Sequence, residues 1–490
     1  AQRWAERRRR ILLIVPASLR KQWTQELHSK FSLPTLILET TTYNAELKAG
    51  RRKPLDNDST IIITSYEFAA RKADEIAAIP WDLVVFDEAH RLRNVWKKGG
   101  AARAKELKRA LQDRFKVLLT ATPLQNSLME LYGLVSVIDQ HVFGDEYAFK
   151  ASYNSRNASE ASLLLLRERL QSVCRRTLRK QVLEAGHINY TKRLATTAHF
   201  EPEDKEHELY EAVSAYLQRK DTALFGSKPN ALITLVFRKI LGSSTAALVS
   251  TLDKAIESLK TKHRRLTDLI DDIDTADEIA EELNDNGSNG DGDEDNLELI
   301  ERLDPTKVAA EIEELTRYRD LAASIGSNAK GERLIRILPQ VLDEIVARGG
   351  NRKAVIFTES VRTQRYLADL LSRHGFEDDI VLMNGTNSDP TSLAIYKDWL
   401  ERHRGTDAIS GSKTADMKAA IVEAFREKKT ILIATESGAE GINLQFCSLL
   451  VNFDLPWNPQ RVEQRIGRCH RYGQKFDVTV VNFLNLKNQA

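Results

Sequence analysis

Two adjacent carboxylates near residue 87 are the strongest chemical signal in the sequence. Asp87 and Glu88, within Asp87-Glu88-Ala89-His90, directly follow an apolar run, Trp81–Phe86, that predicts a buried strand. Ligands of parallel α/β sheets bind beyond the carboxyl ends of strands, so both acids are well placed for catalysis. One carboxylate can hold Mg²⁺ through water, and the next can deprotonate a water that attacks a γ-phosphate. The structural alternative is a helix N-terminus, where the helix dipole favours acids.

A pair of arginines near residue 470 is the second chemical signal. Arg468 and Arg471 are three positions apart, so a helix would place both guanidinium groups on one face. Two guanidinium groups on one face suit the charge of a phosphoryl group during its transfer, which is the role of arginine fingers. A solvated basic face is the alternative for an isolated pair.

The elements that must position these residues alternate short apolar runs with longer helical patterns, which is typical of parallel α/β sheets. Near-continuous apolar runs predict strands that are covered on both faces. The runs are Ile11–Val15, Ile61–Thr64, Leu83–Phe86, Lys116–Thr120, Ala354–Thr358, Ile380–Leu382, Ile431–Thr435, Leu449–Phe453 and Val478–Phe483. We therefore predict one α/β lobe at residues 1–143 and a second at 339–490, with a long, mostly helical insertion at 144–338.

Charge is distributed unevenly along the chain of 490 residues. The totals of 72 basic and 70 acidic residues nearly cancel, but the segment 268–301 holds 15 acids and no Lys or Arg. The remainder, with 72 basic and 55 acidic residues, fits a polyanion-binding protein. Within the acidic segment, residues 284–296 are rich in Gly, Asn and Asp and predict a disordered loop. A calcium loop is disfavoured because Asn296 stands where a Glu ligand is needed.

Cysteine usage and hydropathy predict a soluble, intracellular protein. The three cysteines are scattered without CxxC spacing, which disfavours a disulfide framework and a Cys-rich zinc site. No apolar run reaches the roughly 18 residues of a membrane span. The apolar stretch after Arg7–Arg10 ends at Pro16, so it is too short for a signal peptide.

The order of the motifs resembles the motor of superfamily II helicases. More narrowly, the set is similar to the SWI/SNF-related double-stranded-DNA translocases, close to their bacterial branch of RapA-like ATPases. The matching segments cover about residues 1–140 and 350–485. In order, they are Leu13–Leu19 with Gln22-Trp23, Ile63–Tyr66, Asp87–His90, Leu119–Asn126 followed by Glu130–Tyr132, Val355–Glu359, Ala434–Leu444, Asp454–Gln460, and Gln464–Arg471 with Gly473-Gln474.

The resemblance implies two RecA-like lobes that bind ATP and Mg²⁺ at their interface. Asp87 would be the Mg²⁺ carboxylate, acting through water, and Glu88 the general base. His90, Thr120 and Thr122 would couple the nucleotide state to the DNA-binding surface, with the two threonines near the nucleotide.

The second lobe would supply the remaining nucleotide contacts. The resemblance makes Arg468 and Arg471 the arginine fingers and places Gln464 near the phosphates, with Gly441 and Asn443 at the lobe interface near the nucleotide. Short hydroxyl side chains position a DNA strand without reading its sequence, although each alone can also be a cap or turn residue. The candidates for DNA-phosphate contacts are Ser18, Thr64, Ser65, Thr358, Thr435 and Ser437.

One motif of such a motor is missing. No GxxxxGK[ST] phosphate-binding loop occurs in the sequence, and the nearest string, Gly411–Thr414, has a Ser between its Gly and Lys. We expect the loop and its strand to lie upstream of a fragment that also continues beyond Ala490. The alternative is a degenerate motor that binds DNA without hydrolysis.

The expected activity is ATP-dependent translocation on double-stranded DNA by a cytoplasmic bacterial protein without a membrane partner. A strand-separating or RNA-directed helicase, a transcription-recycling ATPase and a non-hydrolysing DNA-binding scaffold remain alternatives. A lobe-2 insertion at about residues 387–417 resembles bacterial members. Bacterial relatives act in anti-phage systems such as DISARM or recycle RNA polymerase, so protein partners from a defence or transcription complex are expected, with defence slightly favoured.

Overall fold

The computed structural model contains two compact units, residues 1–185 and 186–490. Each unit is described by itself. The residues that the structure describes are 1–97, 101–124, 127–153, 159–177, 181, 191–219, 222–224, 231–261 (backbone alone for 231–236), 305–326, 328–406, 408–409, 412–456, 458–471 and 473–487. The acidic loop expected at 284–296 lies outside these residues.

A five-stranded parallel sheet forms the centre of the first unit, with the strand order β2-β3-β1-β4-β5. Its strands are β1 (Ile11–Val15), β2 (Thr35–Ile37), β3 (Ile61–Ser65), β4 (Leu83–Asp87) and β5 (Lys116–Leu119). All four apolar runs that predicted strands form strands, whereas the short, half-buried β2 was not predicted. Strands β1 and β3 are buried along their whole length, as expected of strands covered on both faces.

Helices flank this sheet and complete its core. They are α1 (Gln2–Ala5), α2 (Arg20–Phe31), α3 (Thr40–Lys48), α4 (Tyr66–Arg71), α5 (Ala73–Ala77), α6 (Ala102–Ala110), α7 (Leu128–Ile138), α8 (Glu146–Tyr153) and α9 (Glu160–Val173), with single 3-10 turns at Ala17–Leu19 and Ala89–Leu92. Ser65 begins α4 because its hydroxyl accepts the Phe68 N–H at 3.2 Å, and Ser127 begins α7 in the same way. Helices α8 and α9 pack on α7 through Phe149 and Leu166.

The second unit contains a six-stranded parallel sheet with the order β6-β11-β10-β7-β9-β8. Its strands are β6 (Arg193–Phe200), β7 (Ala354–Thr358), β8 (Ile380–Met383), β9 (Ile431–Thr435), β10 (Leu449–Asn452) and β11 (Val478–Asn485). The five predicted strands are present. Edge strand β6 was not predicted. It lies within the segment 144–338, which was predicted to be mostly helical, and most of the helices of that segment follow it.

Ten helices occur among the described residues of the second unit. They are α10 (Asp204–Leu217), α11 (Ala231–Ser243), α12 (Thr245–Thr261), α13 (Pro305–Ser324), α14 (Ala329–Ala347), α15 (Val361–Leu371), α16 (Pro390–Arg402), α17 (Lys413–Glu427), α18 (Glu436–Ala439) and α19 (Pro459–Cys469). Helices α10 to α13 share an apolar core of their own, which includes Leu209, Val213, Leu248 and Leu315. The remaining helices cover the sheet.

The architecture confirms the predicted class, two parallel α/β sheets joined through a mostly helical insertion. The structure divides the chain at residue 185, after α8 and α9, whereas the sequence placed the end of the first lobe at residue 143. No helix in the described part of the chain has the length and apolar character needed to cross a membrane.

Candidate active site

Asp87 ends strand β4, and hydrogen bonds fix its carboxylate. The indole Nε1–H of Trp23, from α2, donates to Oδ2 at 2.7 Å, and the Glu88 N–H donates to Oδ1 at 2.9 Å. The Tyr66 hydroxyl donates to the main-chain oxygen of Asp87 at 2.8 Å. Burial raises the pKa of Tyr66, which keeps this phenol protonated as a donor. The carboxylate is therefore held in one orientation at the carboxyl end of the sheet.

Opposing influences act on the acidity of Asp87. Burial raises the pKa of its carboxyl group above the ordinary value, the Trp23 hydrogen bond lowers it, and the neighbouring charge of Glu88 raises it again. The net shift is upward. Such a shift is common where two carboxylates share a partly buried site.

Glu88 has a left-handed backbone conformation, with φ 49° and ψ 48°. This conformation is unfavourable for a residue with a side chain and often occurs at functional sites. Glu88 Oε2 lies 3.2 Å from His90 Nδ1, and both side chains are about 30% exposed. A single 3-10 turn follows Glu88, so the two acids do not stand at the start of a regular α-helix, which was the structural alternative.

The Asp87 carboxylate fits a magnesium ion that is bound through water. Each of its oxygens accepts one N–H and has a second lone pair for a metal-bound water. The group is half-buried, and hard oxygen ligands are those that Mg²⁺ prefers.

Thr120 and Thr122 lie just beyond β5, beside the two acids. Leu119 is the register partner of Asp87, so Thr120 leaves the same edge of the sheet. The Thr122 N–H donates to Thr120 Oγ1 at 3.1 Å, which closes a local turn. The last two residues of this motif, Gln125 and Asn126, lie outside the described residues.

Helix α19 of the second unit carries Gln464 and Arg468, both half-buried. The helix begins at Asn458, whose side chain accepts the Gln460 N–H at 2.9 Å, and it ends at Cys469. Arg471 therefore lies beyond the helix, and the expectation that a helical face holds both arginines is wrong. Its side chain instead turns back toward the helix, because its Nε donates to the Gly467 carbonyl at 2.9 Å.

Arg465, which was not among the predicted site residues, fixes α19 to the sheet. Its side chain is 1% exposed, and Nε donates to Glu436 Oε2 at 2.7 Å. Nη1 donates to Asn452 Oδ1 at 3.0 Å and to the Asp454 carbonyl at 2.7 Å. A charge this deeply buried needs such partners. Its position three residues before Arg468 was the signal available in the sequence.

The loop after α18 contacts the same helix. Gly441 has a φ of 80°, a conformation that glycine adopts readily. Asn443 is exposed, and its Oδ1 accepts the Gln445 N–H at 3.2 Å. The Leu444 N–H donates to the Arg468 carbonyl at 3.0 Å, so this loop is tied to the end of α19.

The six hydroxyls predicted to contact DNA phosphates fall into two groups. The first group, Thr64, Ser65 and Thr358, is buried and makes internal hydrogen bonds. Thr64 donates to the Leu38 carbonyl, and Ser65 accepts the Phe68 N–H. Thr358 donates to Asp454 Oδ2. The hydroxyl oxygens of the others, Ser18, Thr435 and Ser437, are buried without a hydrogen-bond partner among the described residues. Buried polar atoms in proteins nearly always have a partner, so the second group favours a ligand or water at these positions.

Asp454 is the centre of a buried polar network that joins the helical insertion to the sheet. Its Oδ1 accepts from Lys330 Nζ at 2.7 Å, and its Oδ2 accepts from the hydroxyls of Ser243 at 2.6 Å and Thr358 at 2.7 Å. Burial acts to raise the pKa of Asp454, but the Lys330 ammonium and these donors outweigh it, and the pKa is lowered.

Comparison with known proteins matches both units to helicase-related families. Residues 2–259 match the model of the SNF2-related domain, and residues 363–473 match the helicase conserved C-terminal domain. A Bacillus subtilis (strain 168) protein named as an uncharacterized ATP-dependent helicase, YqhH, is 28% identical over 478 residues, 97% of this chain and 66% of that protein. The RNA polymerase-associated protein RapA of Yersinia pseudotuberculosis serotype O:1b (strain IP 31758) is 25% identical over 97% of this chain and 43% of its own length.

The chain therefore spans about two thirds or less of these relatives. Among solved structures, the Sulfolobus solfataricus SWI2/SNF2 ATPase core in complex with dsDNA is 17% identical and covers 99% of this chain and 79% of its own, with a TM-score of 0.35. The SNF2-related model alone covers more than half of the 490 residues. The chain belongs to the SNF2-related family.

Proposed function

We propose that the protein is an ATP-dependent translocase on double-stranded DNA. Membership of the SNF2-related family supports an ATP-driven motor. The single observation that carries the proposal is the adjacent pair Asp87 and Glu88 at the carboxyl end of β4, with Asp87 oriented by Trp23.

The chemistry follows from these side chains. Asp87 would hold a magnesium ion through water, and the ion would supply positive charge against the phosphates of ATP. Glu88 orients a water and accepts its proton as the water oxygen bonds to the γ-phosphorus and the bond to the bridging oxygen breaks, which releases ADP and phosphate. His90 Nδ1 lies 3.2 Å from Glu88 Oε2, beside the proposed base. Arg468 and Arg471 carry guanidinium groups whose charge suits a transferring phosphoryl group.

Contacts to DNA are proposed for hydroxyls without an internal partner. Ser18, Thr435 and Ser437 are the stronger candidates, since their buried oxygens have no partner among the described residues. Hydroxyl contacts to phosphate fix position without reading bases, which suits movement along any sequence.

Phosphate release by the full-length protein tests the proposal, measured without nucleic acid and with duplex DNA, single-stranded DNA or RNA. We expect duplex DNA to stimulate release and Glu88→Gln to reduce it by about 10²- to 10⁴-fold, the usual contribution of a general base. Glu67→Gln, the same change at a partly exposed acid of the first unit, is the matched control and keeps full activity.

Other results of this experiment would favour one of the alternative functions. Stimulation by single strands or RNA instead of duplex would favour a strand-separating or RNA-directed helicase. Absence of turnover with every polymer would contradict the motor and favour a DNA-binding scaffold.

The Yersinia relative is named as an RNA polymerase-associated protein, which gives a specific second candidate for the pathway, a motor that acts with RNA polymerase in the bacterial cytoplasm. The anti-phage role is proposed from the family resemblance. Copurification of RNA polymerase with the tagged protein would favour transcription, whereas a Glu88-dependent drop in phage plaque numbers would favour defence.

A further inference from the structure

His470 lies between the two proposed finger arginines and is locked in one tautomer. Its ring is 4% exposed, with Nε2 2.6 Å from the Thr191 carbonyl oxygen and Nδ1 2.9 Å from Arg193 Nε. An arginine Nε–H can only donate, so Nδ1 accepts, and Nε2 carries the proton that it donates to Thr191. The ring is thereby fixed in both orientation and tautomer.

Arg193 is itself held firmly. It is the first residue of β6 and the register partner of Val478, so the sheet fixes its backbone. Its Nη1 makes an ion pair with Glu463 Oε2 of α19 at 2.7 Å. The planar guanidinium spans the imidazole and the carboxylate at once, a geometry that a lysine could not reproduce.

The segment 468–471 has further supports besides this ring. The Leu444 N–H holds the Arg468 carbonyl at 3.0 Å, and the Gln474 amide donates to the Cys469 carbonyl at 3.1 Å. These bonds fix the main chain on the side of β9 and β10. His470 and Arg193 attach the segment to β6, the strand that leads into α10 of the helical insertion.

We propose that Arg193 is a positioning residue for the arginine fingers: by clamping His470, it sets the position of Arg468 and Arg471 without touching the nucleotide. The inference rests on the proposed ATPase function. A misplacement of about 1 Å in groups that act on the transition state can cost ~100-fold in rate. The clamp also gives the helical insertion a direct physical link to the fingers through β6.

The first test measures duplex-stimulated phosphate release by Arg193→Ala in the full-length protein. We expect kcat to fall by about 10- to 100-fold while KM for ATP stays within about twofold, the pattern of a lost transition-state interaction. Arg336→Ala, the same change at an exposed arginine of α14 outside the clamp, is the matched control, so kcat changes less than about twofold. Equal losses in both variants would overturn the proposal.

A double-mutant cycle with Arg471→Ala separates positioning from a general structural role. If Arg193 acts through the fingers, adding Arg193→Ala to Arg471→Ala lowers kcat by a smaller factor than adding it to the parent. Multiplied losses in the double variant would overturn the proposal.

A second pair of variants serves if Arg193→Ala does not fold, as judged by thermal unfolding. His470→Gln keeps one donor and one acceptor and retains most of kcat, whereas His470→Leu keeps the volume and loses kcat. Equal kcat in the two would overturn the proposal. Absence of turnover in the unmodified protein refutes the proposed function itself, whereas normal turnover with additive losses refutes the clamp alone.

Discussion

Replacing Lys330 by Met tests the network around Asp454 in the second unit. Lys330 Nζ lies 2.7 Å from Asp454 Oδ1 and also donates to the Gly242 carbonyl at 3.0 Å. The two ion-paired side chains are only 8% and 7% exposed. Methionine preserves most of the apolar stem and removes the charge, so the carboxylate stays buried without its cation.

The expected cost is about 3 kcal/mol of unfolding free energy at pH 7. Breaking a buried pair by removal of one partner costs roughly 3–5 kcal/mol. The hydroxyls of Ser243 and Thr358 still donate to Asp454 in the variant, which favours the lower end of this range.

The sign of the pH dependence distinguishes this mechanism from lost packing. In the parent, the folded pKa of Asp454 is lowered, so its contribution to stability is present above the unfolded pKa of about 3.9 and is lost only as pH falls through the still lower folded pKa. In the variant, burial without the ammonium raises the pKa of Asp454. The folded state then binds the proton more readily than the unfolded state, so the deficit shrinks as pH falls, by at most about 1.4 kcal/mol per pH unit.

Calorimetric unfolding of parent and Lys330→Met at pH 7.5 and pH 5.5 measures both quantities. Lys205→Met, at an exposed lysine of the same unit, is the control and leaves the transition unchanged. Adding Asp454→Asn to the variant recovers part of the loss, because no charge is left unpaired. A deficit below about 1 kcal/mol, or one that is equal at both pH values, would refute the reasoning.

Two further predictions concern the site. Trp23→Phe removes the indole donor to Asp87, so the Mg²⁺ concentration for half-maximal phosphate release rises about tenfold, the usual effect of losing a partner of a metal ligand; an unchanged requirement contradicts the positioning role of Trp23. A Cβ on Gly438 would lie 2.5 Å from the Met383 carbonyl oxygen, so Gly438→Ala lowers stability by about 1–3 kcal/mol. The control is Gly242→Ala in α11, where an added Cβ would have no neighbouring atom within 4 Å, so this change raises stability by up to ~1 kcal/mol. Equal thermal shifts in both variants would contradict the close-approach argument.

The predicted strands were accessible from sequence because burial on both faces demands an unbroken apolar run, as in β1 and β7. Strand β6 lacks such a run, since it is an edge strand whose middle residues, Ala195–Thr197, are exposed. Its place in the second sheet depends on pairing with a distant segment, and the local sequence does not indicate which segment that is.

Some residues of the candidate site could likewise be predicted from the sequence, and others could not. Asp87 and Glu88 were predictable because they directly follow a recognisable strand. The contact of Trp23 with Asp87 joins residues 64 positions apart, and the burial of Arg465 depends on Glu436 and Asn452 from other elements. The end of α19 before Arg471 was also hidden, because no proline or glycine stops the helix there.

Strand β6 has a consequence for synthesis of the protein on the ribosome. Its pairing partner in the sheet is β11, and Lys192 and Asp477, at the start of this pairing, are 285 residues apart. Translation proceeds at about 5–20 residues per second, so the backbone groups of β6 wait for roughly 15–60 s before their partners emerge. During that interval the strand presents an open edge to other nascent chains and to chaperones. Completion of the second sheet therefore waits for the synthesis of β11, whatever the speed of its central strands.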